Sequence, residues 1–155
     1  MFFGCSNLTY LDLSDWDTSN IYGMTSMFAD CINLTEIVGI ADWNVHNVNS
    51  FAGMFQNCSS IKNLDIKNWN MQNAHYLENI FFHLPSLENL YLNNVDFNTE
   101  VMEGTYNMFE YVDNEANIYV KDQDTAKFIY NHIGRYPDKY KIYYGTEDNW
   151  TEYTI

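Results

Sequence analysis

A unit of about 26 residues recurs along this chain, and that period restricts the fold more than any other feature. The stretch from Met1 to Ser26 returns, degraded, from Met27, from Met54, from Ile80 and as a remnant from Met108, in steps of 26, 27, 26 and 28 residues. A unit this short cannot bury an apolar face alone, so successive units must stack and share one core. Stacked units offer extended surfaces rather than catalytic clefts. The expected role is therefore binding or structural.

Aligned, the units superpose Leu8, Leu34, Ile61 and Leu87, then Leu11, Ile37, Leu64 and Leu90. Leu13, Ile40, Ile66 and Leu92 follow, with one extra residue in the second unit. This is the L-x-x-L-x-L core of a leucine-rich repeat. Its period-two alternation predicts short strands with one buried face. Trp16, Trp43, Trp69 and Val95 come next, the three Trp each between Asp or Asn residues that suit a turn. Ile21, Met24, Met27-Phe28 and Cys31 then show a spacing read as helical, with Thr18-Ser19-Asn20 as the N-cap. Val48 to Cys58 and Ala74 to Leu84 repeat that pattern. The expected fold is an open, right-handed α/β leucine-rich-repeat solenoid of about four 26-residue rungs, each a short strand, a Trp turn and a short helix.

The pattern decays from Asn98. Asn117–Val120 reads as a strand, Asp124–Ile133 as a helix stopped by Gly134, and Lys141–Tyr144 as a final strand. The expected division is a solenoid over 1–112, a strand-helix-strand cap over 113–145 and a polar tail over 146–155 without an evident partner. Met1 falls inside a repeat, so an upstream segment or a partner chain is expected to cover the N-terminal rung. Seven Lys and Arg against 21 Asp and Glu give a formal charge of −14, which repels phosphate backbones and anionic membrane surfaces. Neither nucleic-acid binding nor membrane insertion is expected, since no apolar run approaches a membrane span.

The pattern M-F-x-G-C-S-N-L-T-x-L-D-L-S-x-W-D-T-S-N over residues 1–20 resembles the BspA-like leucine-rich-repeat surface proteins. Among them it looks most like the Mycoplasma-type lipoprotein repeat family of unknown function. The likeness extends over roughly residues 1–110. It implies extracellular, cell-surface or virion-surface display, with adhesion or host interaction. It implies no catalytic residues and no cofactor. The chain departs from that family in showing no export signal, no anchor motif and only about four rungs. These departures suggest the alternative of a structural subunit in a larger assembly, such as a virion or surface layer.

Several side-chain sets invite chemistry, and each has a plainer reading. Cys5, Cys31 and Cys58 share one position, which Leu84 fills in the next unit, so buried free thiols are expected rather than a disulfide or metal site. Asp15, Asp17, Asp42, Asn44, Asn68, Asn70 and Asp96 could offer oxygen ligands to calcium, but with no dense D-x-D-x-D loop a capped turn repeated with the unit is the expected reading, and no metal is expected. His46, His75, His83 and His132 lack metal spacing. Neither a nucleophile elbow nor a phosphate loop is present, and no enzyme activity is expected. The best candidate site is the outward strand wall: Tyr10, Asp12, Glu36, Val38, Asn63, Asp65, Asn89 and Tyr91, with Tyr119 from the cap. Tyr, Asn and Asp together suit a protein or glycan ligand, although an ordinary solvated sheet face has the same composition.

Overall fold

The computed structural model describes residues 1–98, 105–110, 115–134 and 137–155. The expected boundary near 112 lies outside them. The regular structure among the described residues is mostly strand, joined by turns: β1 (Tyr10–Asp12), β2 (Glu36–Val38), β3 (Asn63–Asp65), β4 (Asn70–Met71), β5 (Asn89–Leu92), β6 (Asp96–Phe97), β7 (Ala116–Val120), β8 (Tyr140–Thr146) and β9 (Asn149–Glu152). Among the described residues the one α-helix is α1 (Gln123–His132). The strands form a parallel pair β1-β2, a parallel pair β4-β6 and a mixed sheet β3-β5-β7-β8-β9, in which β8 and β9 run antiparallel.

This corrects the expected leucine-rich-repeat solenoid of strand-turn-helix rungs. The three segments read as helices, around 21–31, 48–58 and 74–84, are chains of turns. Their backbone bonds show why. Met27 N–H donates to Met24 O, Met54 N–H to Phe51 O and Ile80 N–H to Leu77 O, each closing a four-residue turn. Other donors leave the unit altogether: Phe28 N–H reaches Met54 O, Phe55 N–H reaches Ile80 O and Phe81 N–H reaches Met108 O. Ser26, Asp30, Asn57, Asn79 and His83 take φ values between 52° and 62°, in the left-handed region that interrupts a helix. Successive turns bring every third residue inward, and a spacing of three is easily taken for the 3.6-residue period of an α-helix.

The aligned positions do meet where strands pair. Leu11 lies opposite Ile37, and Leu64 opposite Leu90, which is in turn opposite Ile118. The core is one continuous cluster from Leu13 to Ile142. Rings pile through it: Phe2, Phe28, Phe55 and Phe81 stack in sequence at 5.5, 5.6 and 6.1 Å between centroids. Trp16, Trp43 and Trp69 do the same at 6.1 and 6.4 Å. Trp69 Nε1–H donates to Ile40 O at 2.8 Å, so the buried indole keeps its hydrogen bond. The Asx residues around the Trp rings cap their own turns. Asp17 accepts from Ser19 N–H, Asn44 from His46 N–H and Asn70 from Gln72 N–H.

Near the C-terminus, β7, α1 and β8 follow in order. Asp122 caps α1 by accepting from Thr125 N–H at 2.8 Å, and Ala126 and Ile129 bury its inner face. The tail over 146–155 has a partner after all: its strand β9 pairs Thr146 with Asn149 and Tyr143 with Glu152.

Candidate functional site

The outer face of the mixed sheet carries two columns of polar and aromatic side chains. Alternation along β3, β5, β7 and β8 sends Leu64, Leu90, Ile118 and Ile142 into the core. The residues on either side of them face outward. In register these form the columns Asn63, Asn89, Asn117, Lys141 and Asp65, Tyr91, Tyr119, Tyr143.

The amides are bonded in series. Asn89 Nδ2 donates to Asn63 Oδ1 at 2.8 Å, and Asn117 Nδ2 donates to Asn89 Oδ1 at 3.1 Å. Tyr91 and Tyr119 stack at 5.0 Å and 10°, and Tyr119 and Tyr143 at 5.4 Å and 19°. Trp150 of β9 leans on Tyr119 at 5.0 Å and 57°. The Tyr119 hydroxyl donates to Asn89 Oδ1 at 3.4 Å, which ties the two columns together. Burial pushes the Tyr119 hydroxyl above its ordinary pKa, with smaller contributions from Tyr91 and Tyr143, so it stays a donor through the physiological range. At the other end of the ring stack Tyr91 has Asp65 beside it in register. Lys67 Nζ sits 3.5 Å from Asp65 and 3.6 Å from Glu147, and Asp65 first of all raises its pKa.

Of the nine residues read as a strand wall, Asn63, Asp65, Asn89, Tyr91 and Tyr119 come together on this sheet. Tyr10, Asp12, Glu36 and Val38 do not join them. They pair with one another on the separate β1-β2 sheet, Tyr10 opposite Glu36 and Asp12 opposite Val38. Asn117, Tyr143, Trp150 and Lys67 complete the face and were not anticipated. The alternation in Lys141-Ile-Tyr-Tyr would have placed Tyr143 outward. Trp150 carries no such signal, because its strand is defined only by pairing with β8.

The thiols are free. Cys31 and Cys58 are buried and donate to Phe2 O and Phe28 O at 3.0 and 3.1 Å, whereas Cys5 is exposed, contrary to the expectation for that column. Burial is the main cause that raises both buried thiols, Cys58 to about 12. Among the described residues no group of three or more His, Cys, Asp and Glu is placed to hold a metal ion. Nor is any helix there long and apolar enough to cross a membrane.

A family model described as Mycoplasma protein of unknown function, DUF285, matches residues 1–121. The chain belongs to this family. Membership covers the repeated units and β7 and stops before α1. No curated protein and no solved structure matches the chain.

Proposed function

We propose that the chain is a non-enzymatic recognition module of a cell or virus surface, which binds a carbohydrate through the outer face of the mixed sheet. The observation that carries this reading is the column Asp65, Tyr91, Tyr119, Tyr143 beside a bonded column of amides. Stacked tyrosines present ring edges and hydroxyls at little entropic cost, because two torsions fix each ring and its neighbours already hold it. Amides and a carboxylate supply the directional donors and acceptors that sugar hydroxyls need. The likeness of residues 1–20 to BspA-like surface proteins supports surface display.

A glycan array followed by titration tests the reading. Tyr91→Ala and Asp65→Ala should each weaken the best glycan at least tenfold, with the far-UV spectrum unchanged. An empty array overturns the carbohydrate reading, and binding that both variants retain overturns the face.

A second reading has its own observation. Phe3 is 63 % exposed, Tyr10 50 % and Trp16 36 %, all within the first unit. That concentration of aromatic surface suits packing against another subunit of an assembly. Light scattering of the purified chain separates the two, since a monomer at high concentration argues against assembly.

A further inference from the structure

The strand face is interrupted between β2 and β3, and the interruption has the form of a slot for a peptide. Gly39 is the extra residue of the second unit. Its φ is 82°, and a Cβ there would lie 2.4 Å from Ser14 Cα. The chain therefore leaves β2 pressed against the first unit and away from the third. No backbone hydrogen bond joins β2 to β3, although each is paired on its far side. The result is a cleft of ≈ 580 Å³ lined by residues 35–41 and 60–65. That volume falls in the range of ligand pockets.

Bonds at both ends of the cleft tie its two walls together and fix its length. Ser60 Oγ donates to Ile32 O at 2.7 Å on one side, and Trp69 Nε1–H to Ile40 O at 2.8 Å on the other. The edges are identifiable, because backbone groups point alternately to the two sides of a strand. Val38 O accepts from Leu13 N–H, so Val38 faces β1 and Ile37 faces the cleft. Lys62 O and Ile66 N–H bond toward β5, so Asn63 and Asp65 face the cleft from the other side. Two strand edges with unused donors and acceptors thus confront each other over Ile37, Ile40, Ile61 and Leu64.

We propose that this cleft takes a short, extended, basic peptide segment that completes the sheet by bonding to β2 and β3. The edges dictate an extended backbone, which is what strand addition supplies. The charge follows from the walls. Glu36 and Asp65 line the cleft; Asp65 is paired with Lys67 at 3.5 Å and Lys62 with Glu88 at 2.9 Å, which leaves Glu36 as the wall charge without an ion pair among the described residues, in a chain that carries −14. The cleft shares Asn63 and Asp65 with the outer face of the mixed sheet but lies on the edge of β3 away from Tyr91, so Tyr91→Ala should weaken a glycan and spare the peptide.

The test uses the full chain against an array of acetylated, amidated pentapeptides Lys-x-x-x-Lys with every natural residue at each x. The best binder is then labelled with fluorescein for anisotropy. Saturable binding is expected, weakened at least tenfold by N-methylation of the central amide and by exchanging both Lys for Glu. Hydrogen exchange should slow at residues 37, 63 and 65. Val38→Trp, which fills the cleft without touching the core, should abolish binding while leaving the melting curve in place. An array with no binder overturns the proposal. So does a binder indifferent to N-methylation, a Val38→Trp protein that binds normally, or protection that maps to the outer edge of β1.

Discussion

At the scale of the residue, the most exacting position is Cys58. Its side chain is fully buried, its Sγ–H donates to Phe28 O, and the pKa of the thiol is pushed up to about 12, chiefly by burial. Ionising it would put an unpaired charge in the core. An unfolded cysteine ionises near 8.5. The raised folded value means that this contribution to stability is complete below the unfolded pKa and is lost as pH climbs toward about 12. Between pH 9 and 11 the folded protein should lose about 1.4 kcal/mol per pH unit through this thiol. Urea midpoints at pH 8, 9, 10 and 11 measure the slope, and Cys58→Ala should flatten it by that amount. Equal slopes in the two proteins would show that the thiol ionises freely in the fold. Cys5, exposed on the same column, should react with a thiol reagent at pH 8 while Cys58 does not.

At the scale of the element, Asn57 decides between a turn and a helix. Its φ is 60°, its amide donates to Asp30 Oδ1 at 2.6 Å, and its Oδ1 lies 3.0 Å from His83 Nδ1. Asn57→Gly and Asn57→Ala both delete this polar column, so they differ only in backbone preference. In the left-handed region Ala costs roughly 1–2 kcal/mol relative to Gly. In a helix the order reverses, with Gly worse by roughly 1 kcal/mol. The Gly variant should therefore be the more stable, as read from urea midpoints, and the opposite order would reinstate a helix. The same position shows why only part of the structure was legible in the sequence. The alternation around Leu64 and Leu90 fixed strand positions and their partners, because period two has few other causes. Inward residues at spacings of three and four left two explanations, and the hydrogen bonds that choose between them run to the next unit. The extra Gly39 was visible as one residue, but its effect on the site was not. Whether an insertion bulges or slips the ladder depends on the room beside Ser14, which only the packed neighbour sets. Likewise Tyr91 and Tyr119 were readable as outward residues, whereas their division from Tyr10 and Glu36 follows from that bulge.

At the scale of the whole molecule, charge opposes a core that is otherwise continuous. The formal charge of −14 is spread over a chain whose cations are mostly spent in local pairs such as Lys62–Glu88 and Lys141–Glu115. Exposed pairs of this kind contribute little, so the dominant electrostatic effect is self-repulsion of the compact state. Salt should then stabilise the protein, because the Debye length falls to about 10 Å at 0.1 M. A relief of roughly 1 kcal/mol raises Tm by about 2–4 °C in a chain of this size. Thermal melts in NaCl from about 20 to 200 mM, within this screening range, should show that rise, and a fall would mean that the local pairs outweigh the repulsion. Calcium chloride at matched ionic strength sharpens the argument. If Asp17, Asn44 and Asn70 serve their own turns, as their bonds to Ser19, His46 and Gln72 N–H indicate, calcium should add no more than sodium does. The Ser19 bonds also hold the Asp17 carboxyl below its usual pKa, so it is fully ionised in both salts and the comparison is fair. A calcium-specific rise in Tm that saturates would instead assign those turns a cation and tie the stability of the stacked units to its supply.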